Sequence, residues 1–438
     1  MYRVKCRVWI LLAEKVGLGM SVEALAKGKA KLAVAGLALV LAAATACTGG
    51  GSGNLAGAGA PAGSSSGPAE TTAPPAPVAA LALVPKAGAK NVSPASPVTV
   101  RASAGTLESV SLVNGDGKPV KGTMAADSTS WAVAEDLGYG KTYTLTASAK
   151  NADGKQTKTT STFSTVTPGN FTMPSFGALE NGGTFGVGMP ITVHFDEPIT
   201  DKAAAEKSLV VTTTPHVNGS WYWIDAQNVH YRGMKYWPPG TKVSVQAKVY
   251  GVSMGGGLYG QADKSVSFTI GRSQVAIIND AQHTMIVYIN GKKYKTIPVS
   301  MGRGGSINVN GRTIDFWTRS GPHVVLEKYA VREMDSSTYG LPVDSPLGYK
   351  EKIPLATRIS GAGEYVHAAS WSVGDQGERN VSHGCVNISP ANADFFYNTF
   401  RYGDIVDIRG TGHALDLTDG LGDWTVSWLN WLKGSALR

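Results

Sequence analysis

Beyond residue 80 apolar and polar positions alternate in short runs. Val98-Thr-Val100 and Tyr143-Thr-Leu145-Thr-Ala147 put apolar side chains on one face and hydroxyls on the other, the period of a half-buried strand. Asn114-Gly-Asp-Gly117 between them signals a tight turn. The run closes near Phe163 and Val166, a length that suits a small β-sandwich. After Pro168 the same grammar returns in Ile191-Thr-Val193-His-Phe195, Gly240-Thr-Lys-Val243-Ser-Val245 and Val266-Ser-Phe268-Thr-Ile270. Gly140-Lys-Thr-Tyr143 and Gly240-Thr-Lys-Val243 hold similar places in the two stretches, and this echo predicts two related sandwiches in tandem. The second is rich in aromatics, with Trp221, Tyr222, Trp223, Tyr231, Tyr236 and Trp237. Sandwich core and module interface explain them better than a sugar platform.

A third pattern starts with Val275-Ala-Ile-Ile278, Met285-Ile-Val-Tyr288 and Tyr294-Lys-Thr-Ile297, with Asn290-Gly291 as the hairpin signal between the last two. A helix is predicted over Ala391–Phe400 behind Pro390, and Asp404–Ile408 reads as a closing strand. The tail carries Trp424, Trp428 and Trp431 at helix-like spacing, which predicts a short element packed back on this last domain.

The first 80 residues are different. Lys27, Lys29 and Lys31 precede an apolar stretch from Leu32 to Ala46 that ends in small residues, the parts of a secretory signal. Residues 48–80 are nearly all Gly, Ala, Pro, Ser and Thr, too poor in apolar bulk to offset ordering entropy, and read as a disordered tether. No later apolar run is long enough for a membrane span.

Composition changes this picture little. Charged residues are 16% of 438, against 54 glycines and 22 prolines, which suits β modules and connectors. The net charge of +8 invites a nucleic-acid partner, but residues 1–46 carry +5 of it. No run of Lys and Arg interleaved with aromatics exists, so nucleic acid is excluded. The cysteines Cys6, Cys47 and Cys385 stand in three unlike settings and make no disulfide framework. An exported chain that keeps a lone thiol in its last domain either buries it as structure or uses it.

The neighbours of Cys385 favour use. Tyr365-Val-His367 and Ser382-His383-Gly384-Cys385-Val-Asn387 bring two histidines and the thiol within 19 residues. An imidazole at hydrogen-bond range lowers a thiol's pKa and makes it a nucleophile. Gly384 lets substrate approach a backbone whose N–H groups can hold an oxyanion. A zinc site is the rival, but this spacing is not a tetrahedral pattern and a fourth ligand is lacking, so no metal is expected.

Residues 272–438 resemble the catalytic domain of the L,D-transpeptidases, whose signature is an upstream His followed by Ser/Thr-His-Gly-Cys-x-Asn. Met334-Asp-Ser-Ser-Thr-Tyr339-Gly and Gly348-Tyr349 resemble the lid and pocket segments of actinobacterial members, which also carry Ig-like modules upstream. The resemblance implies Cys385 as nucleophile, His367 as its base and the backbone carbonyl of Ala368 as the third member. It implies that His383 shapes the site and that the N–H groups of His383, Gly384 and Cys385 form the oxyanion hole. Met334, Tyr349, Trp371 and Asn387 would line the pocket. One departure is Thr318-Arg319-Ser320-Gly321, where many members have Thr-Pro-x-Gly. The segment Leu41–Cys47 resembles a lipoprotein lipobox, departing from it at Ala44, which implies lipidation of Cys47.

The fold expected is mainly β. A signal peptide with lipobox (1–47) and a tether (48–80) lead into two tandem Ig-like β-sandwich modules (81–167 and 168–271). A β-rich L,D-transpeptidase catalytic domain (272–438) with a short C-terminal packing element follows. The function implied is peptidoglycan cross-linking of the 3→3 kind through a cysteine thioester, with release of D-alanine from a tetrapeptide stem. Stem peptides as partners, carbapenems as inhibitors, no cofactor, and a lipid anchor on the outer face of the cytoplasmic membrane go with it. Two alternatives stay open: an L,D-carboxypeptidase that hydrolyses the same bond, and a non-catalytic wall-binding lipoprotein.

Overall fold

The computed structural model describes residues 75–438. The expected signal, the expected lipobox with Cys47 and most of the expected tether lie outside the described residues.

The first module pairs two antiparallel sheets. One has the order Ala80–Val84, Thr99–Ser103, Ser130–Val133, Gly122–Met124, and the other Thr106–Asn114, Thr142–Lys150, Gln156–Ser164. Alternation on Thr142–Lys150 buries Tyr143, Leu145, Ala147 and Ala149 against Val98, Val100 and Trp131 of the facing sheet. Asn114 makes the predicted turn by accepting from the N–H of Asp116 at 3.0 Å and of Lys118 at 2.8 Å. Ala79 is buried in this core, so the end of the stretch read as tether belongs to the module.

In the second module, Thr184–Phe185, Lys264–Ile270, Lys242–Ala247 and Leu209–Thr214 face Gly219–Trp223, Asn228–Gly233, Ile191–Phe195 and Pro174–Ser175. The echo between the modules has a backbone cause. Gly140 (φ +61°) and Gly240 (φ +79°) each make the left-handed turn just before a core strand. Trp221, Trp223 and Trp237 are buried core. Tyr139 ties the modules together, donating to Gly260 O and accepting from the Gly251 N–H, each at 2.7 Å.

The last domain holds a five-stranded sheet of order Lys292–Pro298, Thr284–Ile289, Gln274–Asn279, Ile405–Arg409, Gly321–Val324. Its second sheet, of order Lys328–Asp335, Lys350–Arg358, Tyr365–Ala368, Val386–Ile388, closes with a parallel pair. The helix Pro390–Thr399, capped by Ser389, packs Ala393 and Phe396 into the core the sheets share.

The tail corrects the sequence reading. Only its start stays near the last domain; from Trp424 it crosses to the second module. Trp431 is fully buried, stacks on Tyr222 with centroids 4.7 Å apart and donates from Nε1 to Ser220 O at 2.9 Å. The guanidinium of Arg232 lies 4.7, 5.7 and 4.3 Å from the ring centroids of Trp424, Trp428 and Trp431. Helix-like spacing revealed that the tail has an apolar face, but a helical period does not identify the surface that face covers. Backbones also meet closely here: Gly186 and Gly188 donate to the carbonyls of Tyr402 and Gly403 at 2.8 Å.

Candidate functional site

The parallel pairing of Tyr365–Ala368 with Val386–Ile388 builds the site. Its register sets Val366 beside Val386 and His367 beside Asn387. Side chains alternate along a strand, so Tyr365, His367, Cys385 and Asn387 share one face while Val366, Val386 and Ile388 enter the core. The seventeen residues between His367 and Cys385 therefore form a connection that returns the thiol to the imidazole.

Cys385 stands between two cavities. The first, about 160 Å³, is lined by Met334, Tyr349, Glu351, Trp371, His367 and Asn387 among others. The second, about 230 Å³, is lined by Arg312, Asp315, Trp317, Arg319, Tyr339 and Glu364 among others. Tyr349, His383 and Cys385 face both.

His367 is buried, and its Nδ1–H donates to Ala368 O at 3.0 Å. The carbonyl thus fixes the tautomer and leaves Nε2 as an acceptor. Burial lowers the His367 pKa to about 4 against the pull of that carbonyl. It pushes the Cys385 thiol up to about 12. This corrects the expectation of a thiol acidified by its imidazole. With His367 buried, Cys385 half-buried and no cation among the described residues bearing on the sulfur, desolvation outweighs attraction and the resting pair is neutral.

His383 belongs to a separate arrangement. Its Nε2 accepts from Arg303 Nη2 at 2.8 Å, and its ring lies 5.0 Å from Phe316 and 5.1 Å from Tyr349. Burial, then the charge of Arg303, hold its pKa down to about 4. With one nitrogen committed to a guanidinium, His383 is poorly placed to take a proton from sulfur.

Two hydroxyls, of Ser382 and Thr318, hold the loop before Cys385. Ser382 donates to Cys385 O at 2.6 Å and accepts the Gly384 N–H at 3.0 Å. Thr318 donates to Gly384 O at 2.7 Å and accepts from Gly302 N–H at 2.9 Å. Gly384 sits at φ +140°, a backbone that residues other than glycine rarely adopt. Because the Gly384 N–H is already taken by Ser382, it is not free to hold an oxyanion, against the sequence expectation. The N–H groups of His383 and Cys385 have no partner among the described residues.

The pocket residues read from sequence do converge. Met334 packs with Ile353, Tyr365 and Tyr349 beside the thiol. Burial raises the phenol pKa of Tyr349. Asn387 is buried and donates to Ser372 Oγ at 3.1 Å. Trp371 is not core: it is 58% exposed and lies across His367 with centroids 6.0 Å apart.

A bacterial Ig domain family matches residues 89–253, and the L,D-transpeptidase catalytic domain family matches residues 273–408. L,D-transpeptidase 2 of Mycobacterium tuberculosis is 41% identical over 350 residues, 80% of this chain and 83% of that protein. The chain belongs to the L,D-transpeptidase family. L,D-transpeptidase 5 of Mycobacterium tuberculosis is 39% identical over 374 residues, covering 84% of this chain and 79% of that one. Among solved structures, an L,D-transpeptidase in complex with imipenem is 33% identical with a TM-score of 0.44, covering 53% of this chain and 96% of that one.

The departure from the L,D-transpeptidase pattern at residue 319 now has a local account. The Arg319 N–H, which a proline would lack, donates to Glu364 Oε1 at 2.7 Å, and the other oxygen of Glu364 meets His323 Nε2 at 3.0 Å. Arg303, Ser382, Thr318 and Glu364 were not assigned roles from the sequence, because each acts through a partner at least tens of residues away or through backbone. Only Ser382, inside the motif, carried a signal.

Proposed function

We propose that this L,D-transpeptidase forms 3→3 cross-links in peptidoglycan through a thioester on Cys385. The observation that carries the proposal is the placement of Cys385 and His367 on one face of a parallel strand pair, with a cavity on each side of the sulfur. Two substrates must reach one carbon in turn, and two cavities allow a donor and an acceptor stem to do so.

As Cys385 Sγ attacks the carbonyl of the third, diamino-acid residue of a donor tetrapeptide, Nε2 of His367 takes the thiol proton. The carbonyl of Ala368 bears on the positive charge that develops across the ring. The N–H groups of His383 and Cys385 receive the oxyanion. When the tetrahedral adduct collapses, the C–N bond to D-alanine breaks and His367 returns the proton to the departing amine. An acceptor amine then attacks the thioester; His367 takes its proton and delivers it to the released sulfur. A carbapenem, whose strained amide acylates the same sulfur, is the matching inhibitor. A lipid on Cys47 and the tether behind it would hold the enzyme at the outer face of the membrane and let it reach the wall.

Intact-mass measurement with a defined disaccharide-tetrapeptide tests the reading. The expected adduct is the stem minus one D-alanine on Cys385, absent from Cys385→Ser, and transferred to an added amine stem as a 3→3 dimer. An adduct that gives only hydrolysed tripeptide in the presence of acceptor would make the enzyme a carboxypeptidase. No adduct on any residue would refute the thioester.

A further inference from the structure

One acidic side chain in the nucleophile's cavity has no part in the steps above. Glu351 lines that cavity with Met334, Ile353, His367 and Trp371. It stands opposite Met334 in the strand pairing and two residues before Ile353, so it shares their face toward the site. Met334 and Ile353 are buried and apolar, and a carboxylate in the same row is a departure that packing does not require. Nearby acids are already neutralised: Lys350 binds Glu333 at 3.3 Å and Asp335 at 3.1 Å. Glu351 enters no ion pair or hydrogen bond among the described residues. Besides the two histidines, Glu351 is the one acidic or basic side chain among the residues that line this cavity. It also bears on Tyr349, whose ionisation its charge opposes.

A carboxylate at the edge of an apolar cavity selects a cation. A stem peptide offers few. Its N-terminus is joined to the sugar as an amide and its other ionised groups are carboxylates, so its cation is the side-chain ammonium of the diamino acid. If the carbonyl of that same residue is the one delivered to Cys385, its side chain must lie in a cavity beside the sulfur.

We propose that Glu351 is a subsite for the side-chain ammonium of the diamino acid in a stem peptide and sets which stems the enzyme accepts. This rests on the thioester reading above. Donor and acceptor stems both carry the ammonium, and the experiment separates them.

In the first arm, the first-turnover rate of thioester formation on Cys385 of the full chain is timed by mass, with enzyme in excess over stem so that transfer to a second stem does not compete, using disaccharide-tetrapeptides whose side-chain amine is free or N-acetylated. In the second, the N-acetylated donor, which cannot serve as acceptor, is transferred to a disaccharide-tripeptide, which cannot serve as donor, and the acceptor KM is read apart from kcat. For a donor subsite, the wild type should favour the free amine by about tenfold, the effect of one ion pair of about 1.4 kcal/mol, in the first arm. Glu351→Gln should erase that preference and Glu351→Asp should keep part of it. For an acceptor subsite, Glu351→Gln should instead raise the tripeptide KM about tenfold with a smaller change in kcat. If thioesters form and Glu351→Gln alters neither the amine preference nor the acceptor KM, the subsite is refuted while the thioester stands. If neither stem yields a thioester on wild-type Cys385, both fall.

Discussion

Replacing His367 by Ala makes the sharpest use of the neutral pair. With the thiol at about 12, the thiolate fraction at pH 8 is about 10⁻⁴, so an enzyme that must wait for spontaneous ionisation works about ten-thousandfold slower. That agrees with the about 10²–10⁴-fold that a general base typically contributes. The pH dependence carries more information than the size. In the wild type, His367 titrates at about 4 and the thiol at about 12, so acylation by a carbapenem should be flat from about pH 5 upward and fall only as the imidazole protonates. In His367→Ala the rate should instead climb about tenfold per pH unit, because only the thiolate reacts. Stopped-flow loss of carbapenem absorbance between pH 4.5 and 9.5 measures both profiles without an acceptor amine. A wild-type profile with a midpoint near 6.5, or a His367→Ala profile that stays flat, would refute the neutral-pair argument. Should the steep profile arise in His383→Ala instead, the roles of the two histidines are reversed.

Other perturbations test the frame around the site. Ser382→Ala frees the Gly384 N–H and the Cys385 carbonyl and should lower carbapenem acylation about 10–100-fold, with a loss of about 1–3 kcal/mol in unfolding from the two orphaned backbone groups. Arg319→Pro removes the N–H that Glu364 accepts and should cost about 1–3 kcal/mol in urea unfolding, whereas Arg319→Ala, which keeps it, should cost little. Trp431→Ala empties a fully buried site under Arg232 and Tyr222 and should destabilise by about 3–5 kcal/mol, read as a lowered melting temperature. Asp404 is buried and its pKa is raised by burial from 3.8 to about 7, so folding binds a proton there and stability should fall as pH rises from about 4 to about 7. Asp404→Asn should therefore raise the melting temperature at pH 8, with the gain vanishing near pH 4.

The sequence by itself determined the class of the fold and pointed to Cys385 and His367 as the candidate pair. Period-two alternation and glycine turns such as Gly140 and Gly240 act within a few residues, so the strands of both modules could be read locally. The motif from Ser382 to Asn387 with His367 upstream was legible because thiol chemistry restricts which residues can stand there. What only the tertiary structure decided lies in contacts distant along the chain. The tail's destination depended on Arg232 and Tyr222, some 200 residues away, and no periodicity within the tail encodes a partner. The protonation state of Cys385 and His367 also escaped the sequence. Proximity in the chain suggests a charged pair, but desolvation beside the second sheet sets the balance, and desolvation is a property of the packed molecule. The same holds for Gly384: the family resemblance implied a free N–H, and only the fold placed the Ser382 hydroxyl on it. Short-range geometry is written in neighbouring residues; desolvation and long-range partners arise when the chain closes on itself.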